Sequence, residues 1–449
     1  MRWFRLLLVL GFLALPAAPA VAAEAVATDS VSAVRAKLET IAGLRIESGR
    51  LMNGRPFFVL WYSQPTDHHQ AEHHQSSGER FEQRITLWHR GFDSPMVLAT
   101  SGYAGTAGAY ASEPTSLVTG NQLDVEQRFF EQSFSTKATP ASKDWTKLDI
   151  WQAATDHHRI VLAFKALYGG KWLSTGASKG GMTSVYHRRF YSTDVDATIA
   201  YVAPQDTVNE QDSYVDFVQH AGNDPACNEA LRTLQRNALY HRSALLAKLV
   251  ARGDKYDQSY GSADRVLEAA ALDTPFLFWQ YRTQANCAQI PGRTATDQQL
   301  FTFIGDTVDW STYSDQGIAP YLAYYYQAAG QLNWPDATTG TTWLKGLLRY
   351  PEAGSAPAAV PDAIEPKHDA NAMLDIDHWV KASAERILFV YGENDPWGAE
   401  PFIAGPGTKD CHWFVVPNGN HGADIAKLPT AERAEATALV RAWAGISAQ

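Results

Sequence analysis

The chain of 449 residues has only three cysteines, Cys227, Cys287 and Cys411. No Cys-x-x-Cys pair is present, which argues against a structural zinc site, and at most one disulfide can close within the chain. Charge is also scarce, basic charge most of all: 19% of residues are charged, with 38 Lys and Arg against 48 Asp and Glu. The resulting net charge of −10 repels phosphate backbones and anionic lipid, which excludes nucleic acid and a stable membrane surface as expected partners. Long apolar runs are missing too. The one at the N-terminus, Leu6 to Leu15, is half the roughly 20 residues that a spanning helix needs.

That short run has the layout of a secretory signal peptide, with Arg2 and Arg5 before it and the small residues Ala20-Val21-Ala22-Ala23 after it. Residues 1–22 are therefore expected to be removed, and the mature protein to be secreted or periplasmic. No cysteine follows the run, so no lipid anchor is expected. Cleavage leaves 36 basic against 48 acidic residues, a net charge of −12. Export permits disulfides. Cys227 and Cys287, 60 residues apart, are expected to pair, leaving Cys411 a buried free thiol.

What the chain does have is apolar and aromatic content, 45% hydrophobic residues with 14 Trp, enough for a large core. At its centre stands KWLSTGASKGGM (171–182), in which Gly176-Ala177-Ser178-Lys179-Gly180 reads G-x-S-x-G between a strand-like run and the helical GGMTSVYHRRFY. A serine on so tight a strand-to-helix turn is strained and exposed, and small residues two before and two after it avoid collision. The amide of Lys179, at the helix N-terminus, is then placed to stabilise an oxyanion. A Gly-rich turn with an incidental serine is the bland alternative.

Around this stretch strand and helix alternate. RPFFVLWYSQ (55–64) and FEQRITLWHR (81–90) read as antiparallel strands, PMVLATSG (95–102) and ATIAYVA (197–203) as buried strands, LDVEQRFF (123–130) as another, and 149–168 as an amphipathic helix. Its Asp156, His157 and His158 are expected to pack rather than react. The pattern implies an α/β-hydrolase core with a mostly parallel sheet, residues 23–204 and 381–449, interrupted by a helical cap insertion over 205–380. The cap ends in the Pro/Ala-rich YPEAGSAPAAVPDAIEPKHD (350–369), expected to lack regular structure. His68, His69, His73 and His74 lie in a polar loop that invites a metal reading, but a mobile Gln/Ser-rich loop is a poor frame for ligands and a solvated loop is expected. No metal or cofactor is expected.

Two further strands, RILFVY (386–391) and WFVV (413–416), run into GENDPW and PNGNHG. They supply an acid and a histidine in the order Ser, Asp, His that this sheet architecture uses. His421 would take the Ser178 proton, and Asp395 would fix the imidazole tautomer. Glu393 is the rival acid, and an Asx turn is the bland reading of Asp395. For the second oxyanion amide the loop after the 95–102 strand offers Tyr103, with Gly102 as the alternative.

Taken together, QPTDHHQAEHHQSSGERFEQR, LDVEQRFF, WLSTGASKGGMTSVYHRRFY, YVAPQD, YGENDPW and PNGNHGA resemble the secreted bacterial prolyl tripeptidyl aminopeptidases over nearly the whole mature chain. More distantly the chain is similar to the lysosomal Pro-X carboxypeptidase group, through Asp67-His68, Phe81-Gln83-Arg84 and Glu126-Arg128-Phe129. The resemblance implies a serine exopeptidase with the triad Ser178, Asp395 and His421, acting on peptides with a free N-terminus and preferring proline on the acyl side. The His-rich loop departs from the Asn-Pro-type stretch expected at that point.

An aminopeptidase needs a carboxylate for the substrate ammonium group. Beyond the 197–203 strand the chain reads Pro204-Gln205-Asp206-Thr207-Val208-Asn209-Glu210-Gln211-Asp212. Glu210, assisted by Gln211, is favoured over Asp206 and Asp212, with Glu126 a further candidate; capping of the first cap helix is the structural alternative. The competing functions are a carboxylesterase or lipase of the same fold, whose HGGG oxyanion signature is absent, and a catalytically dead binding module, which would typically have lost the serine or histidine.

Overall fold

The computed structural model describes residues 29–73, 79–106, 108–130, 133, 143–208, 212–336 and 340–446. Nine strands form one sheet: β1 (Leu44–Met52), β2 (Arg55–Pro65), β3 (Arg80–Trp88), β4 (Met96–Thr100), β5 (Asn121–Val125), β6 (Trp172–Ala177), β7 (Ala197–Tyr201), β8 (Ile387–Gly392) and β9 (His412–Val416). Their order is β1-β2-β3-β5-β4-β6-β7-β8-β9. The first three pair antiparallel with one another and onto β5, and every pairing from β5 through β9 is parallel. This is the topology of an α/β-hydrolase.

Burial follows pairing. Strands β4, β5, β7 and β8 are buried at every position, because crossover helices cover both faces of a parallel sheet. At the edge, β1 is half exposed along its length and carries Arg45, Glu47 and Arg50. Its polar composition hid it from the sequence reading. Another difference lies in LDVEQRFF, where strand pairing stops at Val125, and the next three side chains form the polar network described below.

After Tyr201 the chain leaves the sheet and returns at Ile387. Between them, helices Pro225–Tyr240, Arg242–Val250, Ala263–Tyr281 and Asp297–Val308 pack around a core that includes Leu231, Leu267, Phe278, Trp279 and Ile304. The 19-residue helix Ala263–Tyr281 contains Pro275, which has no amide to offer the Ala271 carbonyl. Gln235 Nε2 supplies the missing donor at 3.1 Å. The Pro/Ala-rich stretch is more regular than its composition suggested, forming 3-10 turns at Pro351–Gly354, Ala356–Ala359 and Asp362–Ile364, with Ala353, Ala356 and Ala359 fully buried. Cys227 and Cys287 are bonded, with Cα atoms 5.3 Å apart. Cys411 is a free thiol but only partly buried, because it lies at the rim of the sheet just before β9.

Candidate active site

Ser178 stands at the end of β6 with φ 55° and ψ −129°, a strained conformation for a side-chain-bearing residue. Its amide donates to Tyr201 O at 2.8 Å and its carbonyl accepts from Met182 N at 3.0 Å, which fixes the turn from both sides. The glycines have measurable reasons. A Cβ on Gly176 would lie 2.2 Å from Gly180 O, and one on Gly180 would lie 2.4 Å from Thr100 O. Strand, turn and helix Lys179–Phe190 therefore close on one another only without side chains at these two positions.

The loop after β4 rests on the same helix. Gly102, with φ 71°, comes so near that a Cβ would sit 2.7 Å from Gly180 N. Beneath it the buried Lys179 side chain donates to Gly102 O at 2.6 Å and to Gln127 Oε1 at 2.7 Å. Burial lowers the pKa of this ammonium well below the ordinary lysine value. Because the peptide is planar and trans, holding the Gly102 carbonyl also fixes the direction of the Tyr103 N–H. That amide donates to Ser101 Oγ at 3.3 Å. Burial, then the neighbouring Tyr281, Tyr325 and Tyr321, hold the pKa of the Tyr103 phenol above the usual tyrosine value.

Asp395 caps the turn Pro396–Ala399, accepting from Trp397 N at 3.2 Å through Oδ1. Its other oxygen meets His421 Nδ1 at 2.8 Å, and the carboxylate is fully buried. The second ring nitrogen, His421 Nε2, is buried and has no hydrogen-bond partner among the described residues. The cap reaches down to this histidine: Gln280 O accepts from His421 N at 3.1 Å, and Arg282 O from Asn420 Nδ2 at 3.3 Å. Glu393 is exposed and accepts from Asn418 N at 2.6 Å, at the loop's outer edge.

Ser178, Tyr103 and His421 line one cavity of about 850 Å³ beneath the cap, together with Tyr214, Phe276, Tyr324, Trp334 and Trp397. Among the described residues Asp273, Asp306, Asp309 and Asp336 also line it, against a single arginine, Arg232. Asp273, which sequence reasoning passed over inside an amphipathic helix, accepts from Tyr313 Oη at 2.7 Å, and burial pushes its pKa up to about 7.

The sequence-proposed ammonium anchors are scattered. Glu210 and Gln211 lie outside the described residues. Asp206 is buried beside Tyr186 and Tyr214 and shares a small annex of about 20 Å³ with Ser178. Asp212 accepts from Tyr214 N at 2.7 Å and from Asp336 N, and burial raises its pKa to about 6. Glu126 is buried and accepts from the amides of Gly105 and Ser133, so its carboxylate braces the loop carrying Tyr103.

The residues behind the distant resemblance converge on a buried network below that loop. Arg128 pairs bidentately with Asp156, through Nε at 2.6 Å and Nη2 at 2.8 Å, and His68 Nε2 meets the same carboxylate at 2.7 Å. Gln83 donates to Glu126 O at 2.8 Å, and Asp67 pairs with Lys147 at 2.9 Å. The loop expected to be solvated thus begins as a helix, His68–His73, with His68 buried and the His69 ring stacked on Trp151 at 3.9 Å; His74 lies outside the described residues. Among the described residues no group of three or more His, Cys, Asp or Glu side chains could hold a metal ion.

The profile of the PS-10 peptidase S37 family matches residues 26–449. This chain belongs to that family. A curated relative, the prolyl tri/tetrapeptidyl aminopeptidase of Streptomyces mobaraensis, is 42% identical over 443 residues, covering 97% of this chain and 90% of the relative. Among solved structures, proline iminopeptidase of Mycobacterium smegmatis is 14% identical with a TM-score of 0.38, covering 81% of this chain and 96% of that one. Feruloyl esterase B of Aspergillus oryzae is 12% identical with a TM-score of 0.37, covering 82% and 75%. The protein is a serine peptidase with an α/β-hydrolase fold.

Proposed function

We propose that this protein is a secreted serine exopeptidase that releases short peptides, of the tri- or tetrapeptide class, from free N-termini, with proline preferred on the acyl side of the cut. The observation that carries this reading is the placement of the strained Ser178 and the Asp395-paired His421 in one cap-covered cavity whose lining has four aspartates and one arginine. A cavity of about 850 Å³ is of ligand size, at the upper end of small-molecule sites, and suits a peptide end better than a folded protein. Its acidic lining favours a cationic terminus. Glu210 with Gln211 remains the proposed ammonium contact, at the entrance of the chain into the cap. The signal-like N-terminus and the Cys227–Cys287 bond support export, and no helix among the described residues is long and apolar enough to cross a membrane.

In the proposed mechanism His421 Nε2 takes the Ser178 proton as Oγ bonds to the peptide carbonyl carbon, and Asp395 stabilises the imidazolium through Nδ1. The oxyanion is met by the Lys179 amide, with Tyr103 as the proposed second donor. Collapse breaks the C–N bond, and His421 returns the proton to the leaving amine. Water, deprotonated by His421, then cleaves the acyl-enzyme and releases the short peptide acid.

Ser178→Ala tests the assignment. The folded variant is expected to lose fluorophosphonate labelling and several orders of magnitude of peptidase activity. Retention of activity within about tenfold would sink it. N-acetylated peptides are expected to be poor substrates for the parent enzyme, and equal cleavage of acetylated and free peptides would remove the exopeptidase reading.

A further inference from the structure

Among the described residues two aromatic rings border the imidazole of His421. Trp397 is partly buried, with ring centroids 6.3 Å apart, and Tyr281 lies with centroids 6.4 Å apart at an interplanar angle of 89°. Tyr281 is 64% exposed although it lines the same cavity as Ser178 and His421, so it stands at the cavity's mouth. Its neighbours in sequence fasten it to the His421 loop. Gln280 O accepts from His421 N at 3.1 Å, Arg282 O accepts from Asn420 Nδ2 at 3.3 Å, and Gln280 Nε2 donates to the Tyr281 hydroxyl at 3.0 Å. The ring is thus held at its tip while much of its apolar body is left free for a ligand.

The chemistry decides what must come to this place. In the proposed mechanism His421 returns its proton to the leaving nitrogen, which therefore comes within about 3 Å of Nε2. The first residue of the leaving peptide is built on that nitrogen, and its side chain starts only two bonds away. It is confined to the surroundings of the His421 ring. The short acyl part stays under the cap, whereas the leaving chain can have any length and runs out to solvent. Tyr281 meets both conditions, bordering His421 and standing where the cavity opens. Tyr321, the other exposed ring of the cavity lining, lies instead beside Tyr103, with centroids 6.3 Å apart, on the oxyanion side.

We propose that Tyr281 is the contact for the first residue on the leaving side of the cut, and that it selects an aromatic or bulky apolar residue there over glycine. The proposal rests on the peptidase reading above and concerns the opposite side of the scissile bond from the proline preference. The same contact receives an amine that attacks the acyl-enzyme in place of water, because that reaction is acylation run backwards. The amine nitrogen bonds to the acyl carbonyl carbon and gives a proton to His421; the bond from that carbon to Ser178 Oγ then breaks, and His421 passes the proton to Oγ.

The test forms the acyl-enzyme from a tripeptide methyl ester with a free N-terminus and a terminal proline, and measures how it divides between water and added phenylalanine amide, glycine amide or arginine amide. That division is independent of the acylation rate and of the fraction of active enzyme, and labelling by a small fluorophosphonate reports the triad in each variant. The parent is expected to prefer phenylalanine amide over glycine amide by about tenfold or more, the effect of an apolar group entering an apolar site. Tyr281→Phe is expected to keep this preference within about twofold and Tyr281→Ala to cut it by about fivefold or more. Tyr281→Glu, which places a charge at an exposed position, is expected to turn the preference towards arginine amide. A parent without preference, or a preference for phenylalanine amide that survives in Tyr281→Ala or Tyr281→Glu, overturns the proposal and leaves the peptidase reading intact. A parent that labels but cleaves neither the ester nor a peptide with a free N-terminus overturns both.

Discussion

At the scale of single residues, Lys179 serves the turn in two ways. Its backbone opens the helix behind Ser178, while its buried ammonium holds the Gly102 carbonyl and, through it, the Tyr103 peptide. Lys179→Met would keep the helix and the apolar stem but strand two buried acceptors, Gly102 O and Gln127 Oε1. Removing one partner from a buried pair costs about 1–3 kcal/mol. We expect kcat to fall by at least tenfold with KM changed much less, since in the proposed mechanism the loop positions oxyanion donors rather than ground-state contacts. A steady-state comparison of the two parameters checks it. Tyr103→Phe separates the phenol from the amide as oxyanion donor: a loss of ten- to a hundredfold in kcat assigns the phenol a role, and a change under twofold leaves the amide alone.

At the scale of elements, the long helix Ala263–Tyr281 links cap to chemistry, lining the cavity with Asp273 and Phe276 and ending where Gln280 O holds the His421 amide. The Cys227–Cys287 bond fastens the turn after this helix to helix Pro225–Tyr240, closing a separation of 60 residues. On the chain-entropy account a loop of that length stabilises the fold by about 4 kcal/mol. Replacing both cysteines by serine is therefore expected to lower the melting temperature by several degrees. Activity should fail before global unfolding, because the cap end that holds His421 loosens first. Parallel thermal scans of circular dichroism and residual activity would show it, and coincident loss in parent and variant would contradict it.

At the scale of the whole molecule, the acidic cavity gives stability a pH dependence. Asp273 faces Tyr313, Tyr260 and Tyr325, and burial raises its pKa from 3.8 to about 7. The folded state thus holds this proton more tightly than the unfolded chain does. The associated stability is complete below about pH 4 and is lost as pH rises through 7. Three pKa units correspond to about 4 kcal/mol, but the side chain borders an open cavity, so an effect of about 1–2 kcal/mol is expected. Asp273→Asn should gain that much on the parent between pH 4 and pH 8 in urea unfolding. A constant difference across that range would contradict it.

The sequence by itself determined the central strands of the sheet and the chain order of Ser178, Asp395 and His421, because both are written in local patterns. Continuous apolar runs can be buried only as central parallel strands, and the glycines around Ser178 mark where backbones touch. Asp395 and His421 each lie in the loop that follows such a run, so their place at one sheet edge could be read from topology. The tertiary structure decided what surrounds them. The edge strand β1 has no apolar run to betray it, and Glu126, read as a candidate ammonium contact, and His68, expected in a solvated loop, join Arg128 and Asp156 in one buried brace. The aromatic lining of the cavity and Asp273 were invisible for the same reason. Their residues sit on separate segments, and only the folding of a 185-residue excursion, from Tyr201 back to Ile387, sets Trp397 against Phe276 and both beside His421.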